Sequence, residues 1–203
     1  KTTLANIVSR ELNVNIKSIQ APVLEKTGDM AAHLTSLKEK DVFFIDEIHR
    51  LKVSIEEILY SAMEDFKLDI IIGQGAGAKS LRIPLPNFTL IGATTRAGML
   101  TTPLMTRFGI VIRLDLYDDD TLMKIAIRSA RILKIPIEQD AAFEIARRSR
   151  GTPRIVNRHL RRIRDFAQEE ADGKISKDIA KFALERLKID DQGLEQMDRR
   201  ILN

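Results

Sequence analysis

Residues 42–50 read VFFIDEIHR. Four apolar residues, two of them phenylalanines, run directly into two acids. A short apolar run of β-formers predicts a strand buried on both faces, as in a parallel sheet. In an open parallel sheet, ligands gather at the carboxyl ends of the strands. Asp46 and Glu47 are therefore expected at that edge. The same pair would also suit a strand that simply ends in solvent.

Other stretches repeat the pattern. Residues 14–19 alternate apolar and polar, TLIGA (89–93) runs into Thr94 and Thr95, and IVIRL (110–114) follows Arg107. Each predicts a strand, the last two buried. Helices are expected over 2–12, 31–37 and from a Ser54 cap to about Phe66. LDIII (68–72) and LRIPL (81–85) flank the glycine-rich GQGAGAKS and predict a β-hairpin, with Pro84 on an edge. Alternating strands and helices point to an α/β fold with a largely parallel sheet. After Tyr117 the β-signal fades. Residues 118–134, 140–150, 153–171 and 176–188 fit amphipathic helices, with Ser176 capping the last. A boundary near 117/118 is expected.

Composition narrows the function classes. The chain has 203 residues, 44% hydrophobic and 31% charged, with net charge +4. Cysteine is absent, which excludes thiolate catalysis and cysteine-bound zinc and fits a reducing cytoplasm. His33, His49 and His159 match no metal-ligand spacing. No apolar run is long enough to span a membrane, and the first residues lack a signal peptide's apolar segment. Segment 147–164, RRSRGTPRIVNRHLRRIR, is arginine-rich and holds no acid. That suits a solvated helix face as well as an anion-binding one.

The opening KTTLANIV puts a Lys and a Thr at a helix start, as at the end of a phosphate loop, G-x-x-x-x-G-K-[ST]. Such a Lys reaches phosphates, the Thr hydroxyl binds Mg²⁺, and the helix N-terminus adds N–H donors. By itself the dipeptide has little specificity. Asp46 could hold Mg²⁺ and Glu47 could activate water. Thr94 or Thr95 could sense the γ-phosphate, or form only a threonine-rich turn. Arg107 could supply a donor fork to phosphate, or a surface ion pair. Arg154 sits at a helix start, where the dipole disfavours a cation unless an anion is near.

The ordered set KTTLANIV, APVLEKTGDMA, VFFIDEIHRL, EDFKLDIIIGQG, FTLIGATTRAGMLT, RFGIVIRL, ARRSRGTPRIVNRHLRRIRDFA and MDRR resembles the RuvB family of AAA+ ATPases over nearly the whole chain. The resemblance implies a large P-loop domain over 1–117 with a hairpin at about 68–85. It implies a small helical domain over 118–188, and over 189–203 the start of a winged-helix DNA-binding domain. The phosphate-loop glycines and the winged helix fall outside the sequence. It further implies ATP/ADP and Mg²⁺ as cofactors, with Thr2 and Asp46 at the metal. Lys1, Thr2 and Thr3 would contact nucleotide, as would Glu64, Asp65, Phe66, Tyr117 and Arg154. Glu47 would be catalytic, Thr95 the first sensor and Arg107 an arginine finger acting on a neighbouring subunit.

The implied activity is ATP-driven branch migration of Holliday junctions by a cytoplasmic homo-hexamer, in recombination and repair. The implied partners are junction and duplex DNA, RuvA through the hairpin, and RuvC. A clamp-loader-like or remodelling AAA+ ATPase shares the same motifs, although no aromatic pore loop is evident. A non-catalytic scaffold would keep the fold without needing the catalytic residues.

Overall fold

A computed structural model describes residues 1–72 and 79–202. They divide into two compact units, Lys1–Val111 and Ile112–Asn203.

The first unit is built on a three-stranded parallel sheet in the order β1-β2-β5. Its strands are β1 (Ile16–Gln20), β2 (Val42–Asp46) and β5 (Thr89–Gly92). β2 is central and explains its own composition. Phe43 and Ile45 face one hydrophobic cluster, which contains Met30 and Leu34 of α2 (Thr27–Thr35) and Ile55 and Leu59 of α3 (Val53–Asp65). Phe44 faces the other side, against Ala5 of α1 (Thr2–Glu11) and Ala93. With both faces covered, every position from Val42 to Ile45 is buried, and a continuous apolar run is what such a strand requires.

β3 (Lys67–Ile72) and β4 (Lys79–Pro84) form a separate antiparallel pair, as the hairpin reading expected. Asp69 lies opposite Arg82, and the two form an ion pair with Nε–Oδ1 2.8 Å. Of the expected connector, residues 73–80, positions 73–78 lie outside the described residues, and Lys79 and Ser80 already belong to β4.

Three expectations need correction. IVIRL (110–114) forms no strand, and Ile110, Val111 and Ile112 are each about two-thirds exposed or more. Strand structure needs a hydrogen-bonded neighbour, and the run pairs with none among the described residues, whatever its β-propensity. Arg107 does not open a strand but closes a short helix, α4 (Thr102–Arg107), capped by the Thr101 hydroxyl. The third helix is preceded by Lys52 rather than capped by Ser54.

The second unit is helical: α5 (Asp119–Ile132), α6 (Gln139–Arg147), α7 (Pro153–Glu170), α8 (Lys177–Arg186) and α9 (Gln196–Leu202). Its core joins Leu122 and Ala126 of α5, Ile145 of α6, Leu160 and Ile163 of α7, and Leu184 of α8. Asp118 caps α5 through the Thr121 N–H, and that bond holds its carboxyl below the usual range. Ser176 caps α8 through the Ile179 N–H, as its position predicted. A polar clamp fastens the C-terminal segment to this core. Arg148, only 4% exposed, donates to Glu144 (2.8 Å), the Ile189 carbonyl (3.1 Å) and Asp191 (2.6 Å).

Candidate nucleotide site

In a parallel sheet a helix returning antiparallel over the strands brings its N-terminus to their carboxyl edge. Ala5 seats α1 on Phe44, and the head of α1 then meets the end of β2. Thr2 Oγ1 lies 3.5 Å from Asp46 Oδ2. Lys1, the residue before the helix, turns its ammonium to the Thr94 carbonyl beyond β5. No side chain caps α1, so its first N–H groups remain available.

β2 stops sharply after Asp46. Asp46 Oδ1 accepts a hydrogen bond from the Glu47 N–H (2.9 Å), and Glu47 takes left-handed backbone angles, φ 52 and ψ 38. A non-glycine residue adopts these at a cost of roughly 1 kcal/mol. The kink sends the chain into a turn over Ile48–Arg50 instead of extending the strand. The Glu47 carboxylate pairs with Arg50 at 3.0 Å. Both partners are substantially exposed, so the pair holds Glu47 only weakly.

β5 reaches the same edge. Gly92 is its last residue, and a Cβ there would stand 2.9 Å from Ile48 Cδ1 and 3.1 Å from Phe108 Cζ. Glycine thus lets β5 and the turn after β2 pack closely. The contact is extended by hydrogen bonds from Ala93 N to the Ile45 carbonyl (2.9 Å) and from Ile48 N to the Ala93 carbonyl (3.0 Å). Thr94, not Thr95, is the threonine tied into the cluster. Its hydroxyl meets His49 Nδ1 and accepts from the Arg96 N–H, each at 2.9 Å. Thr95 is exposed, and so is Thr3. His49, to which sequence reasoning gave no chemistry, is the residue that was missed. Its one signal was its place three residues after Asp46.

Arg107 is not brought to the Lys1–Asp46 cluster. Its guanidinium sits 4.4 Å from the centroid of the Tyr60 ring, with Nη2 3.1 Å from Glu64 Oε1 and Nη1 donating to the Pro103 carbonyl at 2.8 Å. Glu64 and Asp65 end α3, and Phe66 caps it in the left-handed region. Glu64 and Arg107 thus belong to one surface.

In the helical unit, Tyr117 and the start of α7 are held together. The Tyr117 N–H donates to the Gly151 carbonyl (3.0 Å). A Cβ on Gly151 would strike Leu116 Cβ at 2.6 Å. Tyr117 is half-exposed. Arg154 is exposed in the first turn of α7, whose N-terminus has no side-chain cap.

The residues present suit Mg²⁺ bound with a nucleotide. A threonine hydroxyl and one carboxylate are hard oxygen donors, and Mg²⁺ commonly takes one or two such groups with water and phosphate completing its shell. Among the described residues no cluster of three or more His, Asp or Glu forms an all-protein cage.

Residues 1–114 match the family described as the Holliday junction DNA helicase RuvB P-loop domain, and residues 117–190 match the RuvB AAA lid domain. The chain belongs to the RuvB family. Among solved structures it resembles a proline-to-glycine mutant of Thermotoga maritima RuvB, with 50% identity and TM-score 0.90 over 99% of this chain. It resembles a lysine-to-arginine mutant of the same protein at 49% identity and TM-score 0.90, again over 99% of this chain. A third structure, described as the Thermotoga maritima RuvB Holliday junction branch migration motor, matches at 49% identity, TM-score 0.89 and 99% coverage. The chain spans 63%, 63% and 62% of those three chains. The residues substituted across the Thermotoga RuvB variants are a lysine, an alanine, a threonine, an arginine and a proline. They are spaced along that chain as Lys1, Ala93, Thr95, Arg107 and Pro153 are along this RuvB-family chain.

Proposed function

We propose that this chain is the motor portion of an ATPase that drives branch migration of Holliday junctions. In this reading it works within a homo-hexameric ring on junction and duplex DNA, in cytoplasmic recombination and repair. The observation that carries the reading is the convergence of Lys1, Thr2 and Asp46 at the carboxyl edge of the sheet. Family membership and the match to a branch migration motor support it.

Lys1 binds the β- and γ-phosphates, and the uncapped head of α1 with Thr3 adds donors to the same anion. Thr2 and Asp46 would hold Mg²⁺, which when bound neutralises phosphate charge. Glu47 orients and deprotonates the attacking water, once its carboxylate leaves Arg50. Thr95, with Thr94 anchored beside it, senses the γ-phosphate. Glu64, Asp65 and Phe66 contribute with Arg107 to the surface presented to the next protomer's nucleotide. Tyr117 packs near the base, and Arg154 reaches phosphate from the helical unit. The hairpin of β3 and β4 docks RuvA, with RuvC joining the assembly.

A clamp-loader-like or remodelling ATPase would use the same phosphate chemistry. Stimulation of ATP turnover by a four-way junction and RuvA in the full-length protein distinguishes them. A junction-independent rate, with no junction dissociation, rejects the branch migration reading.

A further inference from the structure

We propose that Tyr60 is a positioning residue for Arg107, itself held by Glu56 and Thr101. The inference rests on the reading of Arg107 as the guanidinium that completes a neighbouring protomer's nucleotide site.

Glu56, Tyr60 and Glu64 are spaced by four residues along α3 and form one stripe. Both ends of α4 meet that stripe. At its N-terminus, Thr101 Oγ1 donates to Glu56 Oε2 (2.7 Å) and accepts the Leu104 N–H as the helix cap (3.4 Å). At its C-terminus, Arg107 lies over the Tyr60 ring and pairs with Glu64. The Tyr60 hydroxyl joins the two ends. It donates to the same Glu56 oxygen at 2.9 Å and lies 3.2 Å from the Thr101 hydroxyl.

Glu56 is only 3% exposed, so its carboxylate is a rigid hub rather than a solvated surface group. Its place in the first turn of α3 sets it against the positive end of the helix dipole. The Tyr60 ring, fixed at its hydroxyl end, offers its face to a cation. Arginine has many torsions to immobilise, and a guanidinium ordered before the encounter avoids that cost during the reaction. Arg107 Nε is buried with no acceptor among the described residues. The pose is therefore set by the ring and the Nη contacts, not by saturation of every donor.

The test is complementation in the full-length protein. Tyr60→Leu removes the ring face and the hydroxyl, while Tyr60→Phe keeps the face. Tyr60→Leu is expected to lower kcat about 10- to 100-fold with KM for ATP unchanged, and Tyr60→Phe to retain most of the rate. Mixed with Lys1→Ala, Tyr60→Leu should recover activity, because each protein supplies what the other lacks. Mixed with Arg107→Ala it should not, because both lack a working finger. A Tyr60→Leu rate within twofold of wild type overturns the proposal, as does recovery with Arg107→Ala. So does a loss that multiplies with that of Arg107→Ala in the double variant.

Thr101→Val, which removes only the hydroxyl, supplies a second variant should Tyr60→Leu unfold. It belongs to the same complementation class with a smaller loss, and an unchanged rate counts against the hub. Failure of Lys1→Ala and Arg107→Ala to complement each other sinks the shared site instead. In that case a Tyr60→Leu loss that adds nothing to Arg107→Ala still supports positioning, and an additive one overturns it.

Discussion

The Thr2 hydroxyl lies 3.5 Å from the Asp46 carboxylate, although 44 positions separate them in the chain. The pair forms because Ala5 seats the helix on Phe44, which lies two residues before the acid.

Asp46→Asn keeps the shape and removes the charge. ATP hydrolysis by the full-length protein should fall by at least about 10²-fold. Steady-state turnover titrated with Mg²⁺ checks this. A variant that hydrolyses ATP at the wild-type rate removes Asp46 from the site.

Arg107→Lys retains a cation but loses the planar fork that fits both a ring face and a phosphate. Hydrolysis should drop toward the level of Arg107→Ala, a loss of order 10³–10⁵ for an arginine finger. Single-turnover kinetics with saturating ATP separates this from weaker binding.

His159 is 2% exposed, and its Nε2 has no partner among the described residues. Burial, with Arg158 and Arg150 nearby, lowers its pKa from 6.5 to about 4. The unfolded chain therefore binds a proton between these values that the folded chain refuses. The stabilisation is fully present above pH 6.5 and is lost as pH falls toward 4, in total on the order of 3 kcal/mol. Protection factors of the Val156–Ile163 amides should fall between pH 7 and 5, and His159→Leu should remove that fall.

Gly193 has φ +77, and a Cβ there would lie 2.3 Å from the Arg148 carbonyl oxygen. Gly193→Ala combines backbone strain with a clash against backbone that cannot rotate away. It should cost about 1–3 kcal/mol. Thermal unfolding should show it as a fall of several degrees, and near-native melting would mean the clamp can shift.

Much of the fold was legible in local pattern. The central strand announced itself because two covered faces demand an unbroken apolar run. The four main helices of the second unit showed amphipathic spacing, and Ser176 marked the start of one of them. IVIRL misled for the same reason that VFFI did not. Both carry β-propensity, but only one has strands on each side. In the candidate site, the acids and the Lys–Thr pair were readable as types. Which threonine is anchored, and what His49 touches, were not, because both depend on how Gly92 packs against Ile48.

The chain's order of residues determined by itself most of the helices, the central strand, the Ser176 cap and the chemical inventory, since these follow from neighbours a few positions apart. Tertiary structure alone decided that Lys1, Thr2, Asp46 and Thr94 share one edge, and that Arg107 rests on Tyr60. Those meetings depend on the register of parallel strands and on which helix face is buried, and no local signal encodes either.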